Sequence, residues 1–231
     1  MKGLEWLARV GPSPLDPWRY AMGWSEVAAR NHARRLEREG WLERCPMVRG
    51  QGSLFLATRK GILVLGQPLI AATTPAPPTW AHDSACAWTA AWLTVRGRTY
   101  LGPREILDDP NWTGKLDWRD RHSFKRSGHR PDLVGFLSGM AIAVEVELAT
   151  KSKARLDAIL KLHLGWLIAR KTSGLLYVCG DEEGFRRIER AGQRVGLYRS
   201  DPHLRVELLD TIKAQTRAEF ERGRAVGTAA A

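Results

Sequence analysis

The segment GHRPDLVGFLSGMAIAVEVELATKSKARL, residues 128–156, constrains the fold more than any other part of the chain. Residues 133–137 form an apolar run, Ser138-Gly139 is a turn signal, and residues 141–148 form a second run rich in β-branched side chains. A two-residue loop at 138–139 sets Leu137 against Met140, and therefore Asp132 against Glu145. Strand residues alternate faces, so Glu145 and Glu147 share one face while Val144 and Val146 take the other. Directly opposed Cβ atoms lie ~4.5–5.5 Å apart, so three carboxylates are expected to crowd one patch of an apolar hairpin. Opposed like charges destabilise a sheet, and a cation or a proton must compensate. Oxygen-only ligands of this kind suit Mg²⁺ or Mn²⁺. A metal there activates a water and stabilises a phosphate. The alternative is a solvent-facing strand whose Glu145 and Glu147 pair with Lys151, Lys153 or Arg155.

Charge narrows the partners. Among 231 residues, 36 Lys+Arg stand against 25 Asp+Glu, a formal charge of +11. Arginine outnumbers lysine 27 to 9. Its planar fork grips phosphates and guanine edges, which suits a nucleic-acid partner; a GC-rich genome produces the same bias. No apolar run reaches the ~18–20 residues of a bilayer span, and residues 1–11 lack the pattern of a signal peptide. Cys45, Cys86 and Cys179 are odd in number and widely spaced, fitting neither a disulfide framework nor a zinc ribbon. The expectation is a reduced, cytoplasmic protein with no membrane association.

Three prolines in TTPAPPTW, Pro75, Pro77 and Pro78, favour an extended linker. The expected organisation is a module at 1–72, a linker at 73–80, a second module at 81–225 and a flexible tail at 226–231.

In the first module short helices are expected at 3–10 and 17–22. Ser25 then caps a helix running towards Gly40. On that helix Ala29, Ala33 and Leu36 fall on one face. Asn31, Arg34 and Arg38 fall on the opposite one, flanked by Arg30 and Arg35. Small residues on the packed side with Arg and Asn outside suit a major-groove helix. Strands at 41–48 and 53–57 flank a basic, glycine-rich tip in which Arg49 and Gln51 would lie on phosphates, and Thr58 caps a closing helix at 59–65. SEVAARNHARRLEREGWLER followed by this hairpin resembles the winged helix-turn-helix of many bacterial regulators.

The second module is expected to open with a helix at 82–95 and a helical patch holding Glu105 at 103–107. Residues 118–130, WRDRHSFKRSGHR, read as a basic loop in which Lys125 and Arg126 are candidate DNA contacts. His129 reads as one more basic loop residue rather than a proton carrier. Ser152 caps a helix reaching Arg170, and His163 within its apolar stripe reads as a satisfied core residue. A short strand near 175–179, a basic helix near 181–195, a strand near 206–209 and a last helix complete a mixed sheet, part of it parallel.

The order of acid-bearing helix, PD strand, turn, E-x-E strand and helix resembles the PD-(D/E)XK nuclease superfamily. The resemblance implies Asp132 and Glu145 as metal-binding acids, with Glu105 a further one. The motif lysine is here Glu147, as in some restriction endonucleases of that superfamily. Other members carry the lysine on the next helix, where Lys151 or Lys153 would stand. Others have lost activity and keep the fold for DNA binding. The combination of a winged helix with HRPDL and EVELATKSKARLDAIL resembles, more specifically, the replication-relaxation proteins of bacterial plasmids and integrated elements.

The expected fold class is thus α+β or α/β, a winged helix-turn-helix followed by a PD-(D/E)XK-like mixed-sheet domain. The expected function is nucleoid-associated binding of double-stranded DNA, as a regulatory or replication accessory factor with a degenerate nuclease domain. A homodimer on a palindrome is compatible with this, although no heptad seam demands one. Two alternatives stand beside it. One is a metal-dependent DNA endonuclease using Asp132, Glu145, Glu147, Lys151 and Lys153. The other is a protein-interaction module presenting a tryptophan-rich surface.

Overall fold

The structure is a computed structural model that describes residues 1–46, 52–66, 75–119, 123–198 and 203–229; side chains beyond 224 are not described. Its first half begins with helix α1 (Lys2–Val10), strand β1 (Ser13–Pro14), helix α2 (Leu15–Ala21) and helix α3 (Glu26–Arg38). Strands β2 (Leu42–Pro46) and β3 (Ser53–Ala57) follow, then helix α4 (Arg59–Leu65). Side-chain caps start two of these helices: Ser25 Oγ accepts the Ala28 N–H, and Thr58 Oγ1 accepts the Gly61 N–H. The expected two-strand hairpin has a third member, because β1 pairs antiparallel with β3 in the order β1-β3-β2. A serine and a proline give no strand signal, which is why sequence reasoning misses it. The hairpin tip with Arg49 and Gln51 lies outside the described residues.

The expected 73–80 linker is described from Pro75, where a 3₁₀ turn at Pro77–Thr79 leads directly into helix α5 (Trp80–Val95). Then come β4 (Tyr100–Leu101), α6 (Pro103–Asp108), a 3₁₀ turn at Pro110–Trp112, β5 (Gly114–Arg119) and β6 (Phe124–His129). The acidic hairpin is β7 (Leu133–Leu137) and β8 (Met140–Glu147), followed by α7 (Lys153–Ile168) and β9 (Gly174–Cys179). The chain ends with α8 (Glu182–Val195), β10 (Leu204–Leu208) and α9 (Leu209–Ala229). The expected tail at 226–231 is therefore helical as far as Ala229, and 230–231 lie outside the described residues.

These elements make a mixed α+β fold. The main sheet has the order β10-β9-β8-β7-β4, with β8, β9 and β10 mutually parallel and β7 antiparallel to both β8 and β4. Its two faces carry separate apolar layers. Val144, Val146, Leu176 and Val178 pack with α5, with Ile212 of α9 and with the N-terminal helices. Ala143, Leu175, Tyr177 and Cys179 pack with α7, with α8 and with Leu116 of β5. The first layer also holds Leu4, Trp6, Leu7, Trp18, Leu36 and Ile62, so residues on either side of the proline-rich stretch share one core. The basic stretch at 118–130 is not a loop, because β5 and β6 pair as a separate antiparallel ribbon with 120–122 outside the described residues. Its mostly exposed residues hide the strand period. Among the described residues no helix is long and apolar enough to cross a membrane.

Candidate functional site

The hairpin register is the expected one. Leu137 pairs with Met140 and Leu133 with Val144, which brings Asp132 beside Glu145. The Asp132 N–H donates to the Val144 carbonyl (2.9 Å), and the Val146 N–H donates to Asp132 Oδ2 (2.7 Å). The turn requires a left-handed backbone at Ser138 (φ 51°) and Gly139 (φ 80°), which glycine adopts without strain.

Each of the three acids has its own cation-capable partners. Asp132 turns to α5, where His82 Nε2 donates to Oδ1 at 3.1 Å and Cys86 Sγ lies 3.5 Å from that nitrogen. Glu145 is buried, and its Oε1 accepts from His129 Nε2 at 2.7 Å and from His163 Nε2 at 2.8 Å. Glu147 is buried and ion-paired to Lys151, with Arg187 Nη2 4.0 Å from its other oxygen. The protein thus supplies from its own side chains the compensation that the sequence assigns to a metal or a proton.

The two histidines correct two expectations. His129 is not a loop residue but ends β6, where the ribbon aims it at Glu145. His163 is fully buried on α7, as expected of a core residue, but it bonds a carboxylate and its Nδ1 has no partner among the described residues. Burial alone would raise the Glu145 carboxyl; the hydrogen bonds and charges of His129 and His163 overcome it and hold it down to about 2. The bond to Asp132 raises His82 against the opposing effect of burial. Burial, together with Asp132, Asp83 and Glu145, pushes the Cys86 thiol well up, so it stays protonated and unreactive near neutral pH.

Asp132, Glu145, His82, His129 and Lys151 line one cleft of about 760 Å³. Its rim adds Trp118, Lys125, Arg130 and Arg155. Arg155 stacks on Trp118, 5.6 Å from the ring centre. The cleft thus gathers two carboxylates with the exposed cationic side chains of Lys125, Arg130 and Arg155.

Other expected site residues stand elsewhere. Glu105 is not among the residues lining the cleft: its Oε2 accepts the Gly102 N–H at 2.7 Å and pairs with Arg9 Nε at 3.0 Å. Lys153 is exposed at the start of α7 and does not line the cleft. Arg126 points away into an exposed pair with Asp117 at 2.9 Å. On α3, Ala29, Ala33 and Leu36 are buried, whereas Arg30, Asn31, Arg34, Arg35 and Arg38 are exposed. Arg30 is held by Glu26 and Arg35 lies 3.3 Å from His32 Nδ1. Sequence reasoning misses His82 and Cys86, four apart on α5; their i,i+4 spacing beneath Asp132 is the available signal.

Among the described residues, two groups collect ligand-capable atoms within 4.8 Å of one another: His82–Cys86–Asp132 and His129–Glu145–His163. Imidazole nitrogens beside carboxylate oxygens fit Mn²⁺ better than Mg²⁺, which prefers oxygen alone.

No family model matches the chain, and no curated protein matches it. Among solved structures, protein VC1899 from Vibrio cholerae aligns with 97% of this chain at 11% identity and a TM-score of 0.33. The chain spans about half of that protein, 51% of its length.

Proposed function

We propose that this protein binds duplex DNA through α3 and that its second half is a nuclease-like domain of the PD-(D/E)XK type. The observation that carries the reading is the division of α3: Ala29, Ala33 and Leu36 are buried, and Asn31, Arg34 and Arg38 are exposed with no ion pair among the described residues. The element order α1, β1, α2, α3, β2, β3 and the three-stranded sheet β1-β3-β2 agree with a winged helix, in which α3 enters the major groove. Regulation or accessory work in replication of a mobile element follows from the resemblance alone. Glu147 at the position of the superfamily's lysine, neutralised by Lys151, favours occupancy of DNA over cleavage.

One observation favours a second reading, a metal-dependent DNA endonuclease. The cleft gathers Asp132 and Glu145 with Lys125, Arg130, Lys151 and Arg155, as a phosphodiester substrate needs. Asp132 and Glu145 would hold Mn²⁺, which supplies an activated water and charge neutralisation. The chain's own residues would seat the backbone phosphate on the rim, and Lys151 would steady its developing charge. None of the ten tryptophans is exposed, so no observation favours the tryptophan-rich interaction surface.

Purified protein is mixed with duplex DNA across a salt series, and with supercoiled plasmid plus Mn²⁺ or Mg²⁺. Salt-sensitive binding without nicking supports the first reading. Nicking that Asp132→Asn or Glu145→Gln abolishes, with binding retained, supports the second. Absence of salt-sensitive duplex binding overturns the first.

A further inference from the structure

His129, Glu145 and His163 come from three different elements, the end of β6, the central strand β8 and the middle of α7. Nothing local in the sequence joins them. Both imidazoles nevertheless direct Nε2 at the same carboxylate oxygen, at 2.7 and 2.8 Å. His163 is fully buried and Glu145 is 3% exposed, whereas the His129 side chain is 13% exposed at the cleft. Three donors therefore converge on one point, with His129 and Glu145 lining the cleft and His163 behind them.

We propose that His129, Glu145 and His163 form a binding site for a first-row transition-metal dication of the Zn²⁺, Co²⁺ or Mn²⁺ class. Metal–ligand bonds of ~2.0–2.2 Å set neighbouring donor atoms about 2.8–3.1 Å apart at octahedral angles and about 3.3–3.6 Å apart at tetrahedral ones. The two nitrogen–oxygen separations need to open by less than about 1 Å to admit the ion. Two nitrogens and one oxygen select against Mg²⁺ and Ca²⁺. Three protein donors leave a fourth position to be filled from the cleft by water or a phosphate oxygen, as in a reactive site and not a closed structural one. A plain hydrogen-bond cluster is the competing account. It too leaves the buried His163 Nδ1 without a partner, so it gains no advantage from satisfying the ring.

The site shares Glu145 with the nuclease-like reading but does not depend on it, since metal can bind here whether or not DNA is bound or cut. Metal-stripped full-length protein is titrated with Co²⁺ alone, and visible d–d absorption is followed. One equivalent is expected to bind, and a large excess of Mg²⁺ is expected not to displace it. His129→Ala, Glu145→Gln and His163→Gln should each weaken binding at least tenfold, whereas His203→Asn, outside the site, should not. If the buried His163→Gln variant fails to fold, His129→Ala at the cleft edge decides, with circular dichroism confirming its fold. No Co²⁺ binding, displacement by Mg²⁺, or affinity unchanged in folded His129→Ala overturns the site. Metal binding without duplex binding fails only the DNA reading. Duplex binding or nicking with Co²⁺ affinity unchanged in His129→Ala fails only this inference.

Discussion

Lys151 reaches back four residues to neutralise the Glu147 carboxylate, which is 1% exposed at the end of the central strand. Its other oxygen has no hydrogen bond among the described residues, and Arg187 stands 4.0 Å away. Lys151→Met strands a buried charge. Breaking a fully buried pair costs ~3–5 kcal/mol; Lys151 is about a quarter exposed and Arg187 persists, so a loss of about 2 kcal/mol is expected. Urea unfolding of Lys151→Met, Glu147→Gln and the double variant checks it, and the double variant should recover most of the loss. A cost near the ~0.5 kcal/mol of an exposed pair would show that the charge reaches water.

The hairpin that produces this pair is legible in the sequence because its information is local. A two-residue turn fixes the register, and alternation then fixes every face from Asp132 to Glu147. The helix starts at Ser25, Thr58 and Ser152 are legible for the same reason, since a cap and its N–H lie three residues apart. The histidine partners of Glu145 are not. His129 and His163 lie 16 and 18 residues from it on other elements, and one of them sits in a strand whose exposed, basic residues carry no apolar period. Nor is the shared core, because the Pro75–Pro78 signal describes the stiffness of one stretch and not the packing of its flanks.

Arg34 and Arg38 are expected to contribute more to DNA affinity than Arg30, which Glu26 holds through two hydrogen bonds at 2.6 and 2.9 Å. Removing one phosphate-bound arginine lowers the log–log salt slope by about 1. Arg34→Ala and Arg38→Ala should each show this drop with roughly tenfold weaker binding in fluorescence anisotropy, and Arg30→Ala a smaller one. Equal effects from all three would mean that the Glu26 pair opens on DNA.

Tyr100 makes stability fall at alkaline pH. Burial raises its phenol from 10.0 to about 12, with Arg9 opposing. Between those values the unfolded chain has lost this proton and the folded one keeps it, so rising pH favours unfolding. The contribution is absent below pH 10, grows through the window and reaches about 2 kcal/mol near pH 12. Denaturation midpoints across that range should decline less steeply in Tyr100→Phe than in the parent, with the two curves parallel near neutrality. Equal alkaline slopes would place the loss elsewhere; Cys179, whose thiol burial pushes to about 12, is the next group to substitute.

Gly102 fixes how the N-terminal helices meet the sheet. It precedes α6 with φ −81°, an ordinary conformation for any residue, so its constraint is space alone. A Cβ there would stand 2.3 Å from the Arg9 carbonyl oxygen and 2.7 Å from its carbon, backbone atoms that cannot swing aside. Around the same corner, Arg9 donates to the Tyr100 carbonyl at 2.5 Å and pairs with Glu105 at 3.0 Å. Gly102→Ala therefore has to push α1 away from α6 and should cost about 1–3 kcal/mol in thermal or urea unfolding. Truncating the Arg9 side chain should not rescue it, because the obstacle is main chain. Gly139→Ala offers the contrast: nothing lies within 4 Å, so its cost comes only from a φ of +80° and should be about 1 kcal/mol. A Gly102→Ala variant as stable as the parent would mean that α1 does not approach α6 this closely, and that the shared core is looser at this corner.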